Sequence, residues 1–170
     1  MHEDDLILVK HSGDLGVVRV EGRGTFKNAR YLKTFAKKSR EIGINQFALD
    51  LGKCTHMDST FMGTIAGLAI DAKKSQTPLP QVYYISEKNL ELLQTLGLDR
   101  ILNIVADDLK ISADGKTDSK EDAEDKINQE QLSEDMLEAH QTLASLSESN
   151  AEKFEDVIHF LRNKLETSEE

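Results

Sequence analysis

Phe47-Ala-Leu-Asp-Leu-Gly-Lys-Cys-Thr-His-Met-Asp-Ser-Thr-Phe-Met-Gly-Thr64 reads as a buried strand, a short loop and the first turn of a helix. Phe47 to Leu51 is short and mostly apolar, the composition of a strand covered on both faces. Asp58 or Ser59 opens the helix, Met62, Ile65, Ala66, Ala69 and Ile70 face inward, and Lys73-Lys74 closes it before Pro78 and Pro80. A helix N-terminus has unpaired N–H groups and a partial positive charge. A serine hydroxyl there suits an added phosphate, whose negative charge the local field tolerates. Asp-Ser before a helix also arises from capping alone. The residues therefore leave two readings of Ser59: a phosphoacceptor or docking hydroxyl, or a cap. Asp58 either caps and orients the serine or is a solvated loop carboxylate, and the Thr60 hydroxyl either competes with Ser59 or simply caps or packs.

Working outward, Leu6–Val9 and Gly16–Val20 flank Ser12-Gly13-Asp14, a hairpin with turn chemistry at its centre. Thr25 is the expected cap of a helix whose stripe runs Phe26, Ala29, Tyr31, Leu32, Phe35, Ala36, Ser39 and Ile42, closed by Gly43. Gln81–Ile85 is the next strand, Ser86 caps a third helix from Glu87 to Leu96, and Gly97 stops it. Ile101, Leu102, Ile104 and Val105 form the last strand. Strands separated by helices imply a largely parallel sheet. The class is α/β, a mixed, mostly parallel sheet with helices packed against it.

The chain has 170 residues and a formal net charge of −10. Through Leu109 there are 14 basic and 14 acidic residues; from Lys110 onward there are 7 and 17. The net charge thus belongs to the last third, which opposes nucleic acid or an anionic membrane as partner. The expected division is a domain at 1–109, an acidic flexible linker at 110–125 and an amphipathic acidic helical extension at 126–170. In the extension, Leu132, Met136, Ala139, Leu143 and Leu146 make one stripe and Phe154, Val157, Ile158, Leu161 and Leu165 another, the second behind a capping box at Ser149–Glu152. Neither helix is stable alone. They pair with each other, with the domain, or with another copy as a dimerisation hairpin, which would make a homodimer. The basic residues of the first helix either dock this acidic tail or an acidic partner, or form a solvated face; the solvated face is the expectation. His140 and His159 are expected on the surface.

Cys54 is the single cysteine, so no intramolecular disulfide exists and a reducing compartment fits. The start, Met-His-Glu-Asp-Asp, is acidic where a secretory signal is basic and then apolar, and no run approaches a membrane span. The expected location is the cytoplasm. Cys54, His56 and Asp58 alternate, but three ligands within five residues rarely converge on one ion without a fourth from elsewhere. No glycine-rich nucleophile turn, P-loop or dinucleotide fingerprint accompanies them, so neither a metal, a cofactor nor a catalytic role for Cys54 or His56 is expected.

The element order and the Asp58-Ser59 junction resemble the STAS domain of bacterial anti-sigma factor antagonists over roughly residues 6–106, most strongly at Leu49-Asp-Leu51, Met57-Asp-Ser-Thr60 and Gly63, and again at Leu96-Gly-Leu-Asp99. The family often reads Asp-Ser-Ser/Thr-Gly-Leu-Gly at the junction. Phe61-Met62 replace its Gly-Leu, and Gly22-Arg-Gly-Thr25 replace its frequent Gly-Glu-Leu-Asp. The resemblance implies a non-enzymatic phosphoprotein switch in transcription regulation. Ser59 would be the phosphorylation site, and Asp58, Ser59, Thr60, Phe61 and Met62, with Arg23 nearby, the partner-binding face. The implied partners are an anti-sigma factor with serine kinase activity, bound while Ser59 is unmodified, and a phosphatase that restores binding. The alternative is a structural subunit of a signalling scaffold or transport complex in which Ser59 only caps.

Overall fold

The computed structural model describes residues 5–110 and 128–169. Strands β1 (Leu6–Ser12) and β2 (Leu15–Gly24) form an antiparallel hairpin. Strands β3 (Gln46–Met57), β4 (Gln81–Tyr83) and β5 (Asn103–Val105) then add in parallel, in the order β1-β2-β3-β4-β5. Helices α1 (Ala29–Glu41), α2 (Ser59–Lys74) and α3 (Glu87–Thr95) make the crossovers, and α1 lies beside α2. This is the expected α/β architecture. From Phe47 to Leu51 every residue of β3 is buried, as its apolar run requires of a doubly covered strand. The carboxylate of Asp50 within that run accepts from the Gly52 N–H and the Arg19 Nε.

Some boundaries differ from expectation. Helix α1 begins at Ala29, not behind a Thr25 cap. Asn28 explains this: its Oδ1 accepts from Thr25 N at 2.7 Å and its Nδ2 donates to Arg23 O at 2.8 Å, holding residues 23–28 as a turn. Ile101 and Leu102 precede β5, because a 3-10 turn at Leu98–Arg100 delays the strand.

Two helices follow, α4 (Gln129–Ala144) and α5 (Glu148–Ser168), packed on each other, and α4 also packs on α2. Of the arrangements left open by the stripes, the structure shows the hairpin folded onto its own domain. Leu143 and Phe154 join the same buried cluster as Leu49, Ile65 and Val82. Helix α5 is capped by Ser147, whose hydroxyl accepts from Asn150 N, not by the expected box at Ser149. The earlier start places Asn150 in the first turn, where its Nδ2 donates to Leu96 O and Leu143 O, both at 2.9 Å. All but Lys110 of the expected linker at 110–125 lies outside the described residues.

Candidate functional site

Strand β3 ends at Met57 and delivers Asp58 as the N-cap of α2. Both carboxylate oxygens are used. Oδ1 accepts from Phe61 N at 2.8 Å, closing the first turn of α2, and Oδ2 accepts from Phe26 N at 2.7 Å, tying in the turn after β2. The Asp58 N–H itself donates to Gly24 O at 2.9 Å. Asp58 is thus the cap and not a solvated carboxylate, and Ser59 follows it just beyond the C-terminal end of the central strand β3.

Ser59 is half-buried, and its hydroxyl is engaged. Its Oγ lies 2.8 Å from Nε2 of His140 on α4. The other ring nitrogen, Nδ1, lies 2.6 Å from the carbonyl of Met136, one turn earlier on the same helix. A carbonyl only accepts, so Nδ1 carries a proton and donates to Met136, and in the Nδ1–H tautomer Nε2 is the acceptor for the Ser59 O–H. The Phe154 ring meets the imidazole edge-on, with centroids 5.4 Å apart. His140 is buried, which corrects the expectation of a surface histidine; His159 is exposed as expected. The burial follows from position. His140 directly follows Ala139 of the apolar stripe and lies one turn after Met136, and α4 turns that face towards α2.

Gly63 permits the approach. It stands one turn after Ser59 on the same face, and a Cβ there would meet the Ala139 carbonyl oxygen at 2.4 Å. Charge pairs hold the helix laterally. Arg30 Nη1 of α1 lies 3.3 Å from Asp135, and Lys33 Nζ donates to Asp135 at 3.2 Å and to Glu138. Partial burial draws the Lys33 ammonium down, but its hydrogen bond to Glu138 and the charges of Asp135 and Glu138 outweigh this, leaving its pKa above the usual lysine value. At Arg30 and Lys33 the basic face of α1 therefore docks the acidic tail, against the expectation of a solvated face.

The other expected partner-binding residues are placed differently. Thr60, Phe61 and Met62 are 3 %, 0 % and 5 % exposed, so their side chains belong to the interior and offer no docking surface as the chain is folded here. The Phe61 ring occupies the space beside Gly24. Arg23 is committed to Asp5, with Nη2 at 2.7 Å and Nε at 3.1 Å from one carboxylate oxygen. That hydrogen bond raises the Arg23 pKa further above its already high ordinary value.

Cys54, His56 and Asp58 do not converge. The Cys54 thiol is buried and reaches the backbone carbonyl of His56, not its ring, while His56 is exposed and Asp58 is occupied as a cap. Burial pushes the thiol pKa up, opposite to what a nucleophile needs. Beside the hydroxyl–imidazole pair of Ser59 and His140, Phe61 N and Met62 N are both bonded to Asp58.

His140 and Asn150 are the site residues that sequence reading missed, and the pairs of Arg30 and Lys33 with Asp135 and Glu138 realise the docking of the acidic tail that it left as an alternative. A histidine bordering an apolar stripe, and a basic helix matched to an acidic one in the same chain, were the available signals.

No curated protein matches the chain. Among solved structures, a candidate anti-sigma factor antagonist of Thermotoga maritima is similar, with a TM-score of 0.51 and 23% identity, covering 56% of this chain and 82% of that one. So is SpoIIAA, an anti-sigma factor antagonist in its unphosphorylated form, with a TM-score of 0.51 and 12% identity, covering 60% of this chain and 89% of that one. These likenesses show a shared fold. Residues 7–110 match the STAS domain family, and α4 and α5 lie beyond that match. The chain belongs to the STAS domain family.

Proposed function

We propose that this chain is a phosphorylation-controlled protein-binding switch of the anti-sigma factor antagonist kind. With Ser59 unmodified it binds an anti-sigma factor with serine kinase activity. Phosphorylation of Ser59 abolishes binding, and a phosphatase restores it. The division at about residue 110 then separates a switch domain from an extension that covers its working face, and the protein acts in the cytoplasm without enzymatic activity of its own. No described helix is long and apolar enough to cross a membrane.

The observation that carries this reading is the position of Ser59, directly after the Asp58 cap on the first residue of α2, with its hydroxyl turned to a neighbouring helix. A phosphoryl group adds roughly −1.5 to −2 charges there and leaves α2 intact, since its field favours an anion. Desolvating that dianion against a surface shaped for a hydroxyl costs several kcal/mol, on the order of decades in affinity. The similar fold of SpoIIAA supports the assignment.

The test is a partner captured from the native cell extract and titrated with two variants. Ser59→Ala is expected to bind and Ser59→Asp to bind much more weakly; equal affinities would refute control at this position. Mass analysis after incubation with the partner kinase is expected to show phosphate on Ser59. One observation favours a structural subunit instead: Ser59 is already bonded within its own chain. If that contact is permanent, the kinase will leave Ser59 unmodified.

A further inference from the structure

We propose that the face formed by α1 and α2 around Ser59 is a docking groove for an acidic helix, and that α4 is its displaceable resident. The partner presents an acidic amphipathic helix with a small residue at its centre, and it must replace α4 to engage. This rests on the reading of Ser59 as part of the partner-binding face and specifies the partner's chemistry.

Three features make the groove selective. Gly63 leaves a slot in which a second helix comes into backbone contact, and α4 fills it with Ala139. A larger residue at the Ala139 position would hold the helix off. Arg30 and Lys33 stand to one side and take carboxylates one turn apart on the docked helix, Asp135 with Glu138. Ser59 hydrogen-bonds the side chain directly after the small residue. A docked helix that meets these three demands excludes phosphate at Ser59 as well, because the acceptor lies 2.8 Å from the oxygen that would be esterified.

The grip on α4 is uneven. Near the turn of the hairpin it is apolar and well buried: Leu143 is 0 % exposed and Phe154 8 %, and Asn150 is bonded to the Leu96 carbonyl. Around Asp135 and Glu138 the buried contact is narrower, made by Ser133, Ala139 and His140, and is flanked by charge pairs whose side chains are 22 % to 64 % exposed, the kind that contributes little individually and weakens with salt. Loss of the charge pairs loosens the end of α4 that lies on Ser59 while the turn stays anchored. A competing helix needs only to outmatch the weaker part.

The experiment uses the full chain with Ser59→Cys as a reporter of groove opening, read as the rate of modification by a thiol reagent. The wild-type chain is the blank, since its one thiol, Cys54, is buried. Reversing the latch charges with D135K and E138K is expected to speed labelling about tenfold. Adding R30E and K33E, which restores complementarity with the signs exchanged, is expected to slow it again. A synthetic peptide of residues 128–146, added to the D135K/E138K chain, is expected to protect the reporter saturably, while the same peptide carrying lysine at both acidic positions does not. Labelling unaffected by charge reversal, or a wild-type peptide that gives no protection, would overturn the groove. Protection that grows with the protein's own concentration, together with a dimer in light scattering, would assign the groove to a second copy and overturn the partner helix. These readouts need no kinase. Protection with equal binding of Ser59→Ala and Ser59→Asp would refute phosphorylation control and keep the groove; the converse would refute the groove alone.

Discussion

The ring of Phe61 fills the space that a side chain at residue 24 would take: a Cβ built on Gly24 meets ring atoms at 2.6–2.8 Å. Phe61 of α2 and Gly24 of β2 thus share one volume, the ring filling what the absent side chain leaves. Phe61 is wholly buried. Gly24→Ala is expected to destabilise the protein by about 1–3 kcal/mol, the usual penalty for overpacking a filled core. Gly24→Leu combined with Phe61→Gly is expected to recover most of what either change loses alone. Urea midpoints of the four proteins measure this, and additive losses would contradict the shared volume.

Gly63→Ala sets two effects against each other. Alanine favours a helix over glycine by about 1 kcal/mol, which would strengthen α2. The added methyl carbon also meets the Ala139 carbonyl of α4 at 2.4 Å, and backbone does not yield as a side chain tip does. Detachment of α4 is therefore the expected outcome. Amides of residues 128–169 should exchange with solvent deuterium much faster, and those of β2 and β3 should stay protected. Unchanged protection across the hairpin would show that the contact carries no weight.

Asn150 is 1 % exposed and spends its amide on two carbonyls, Leu96 of the domain and Leu143 of α4. At about 1–1.5 kcal/mol for each hydrogen bond, Asn150→Ala is expected to cost about 2–3 kcal/mol. Asn150→Asp should cost more, because a buried carboxylate would face two acceptors with no proton to offer. A thermal melt reads both, and the aspartate variant being the more stable would contradict the bonding assigned here.

Stability is expected to hold through neutral pH and decline in alkali. Cys54 and Lys33 both have raised pKa values in the folded chain, the first through burial and the second because Glu138 and Asp135 outweigh its burial. For a raised group, the folded state holds its proton where the unfolded chain has begun to release it, so the contribution is complete below the unfolded pKa and fades above it. Unfolded cysteine ionises near about 8.5 and lysine near about 10.4, so the decline should start in the first range and steepen in the second. Urea midpoints across that range measure it. Cys54→Ala should remove the early part and Lys33→Met the later part, and a flat profile in the wild-type protein would contradict both.

The element order, the three crossover helices and the Asp58-Ser59 junction were legible along the chain because they rest on local chemistry. An apolar run such as Phe47–Leu51 has one way to avoid water, and a carboxylate before a helical stripe has a ready set of amides to accept from. The same local rules misplaced the caps at Thr25 and Ser149. There the deciding groups were side-chain amides: Asn28 bonded into the turn that closes β2, and Asn150 bonded to a carbonyl far away in sequence.

The sequence by itself determined the α/β class, the acidic extension with its two apolar stripes, and the serine at the head of α2. Only the tertiary structure decided where those stripes go and what the serine meets. Residues 59 and 140 become neighbours through the pairing of two helices far apart in the chain, and no periodicity along either helix records which surface the other will cover. That choice was made by a missing side chain at Gly63, two cations on α1 and a histidine beside an alanine, which have meaning only once the three helices share one space.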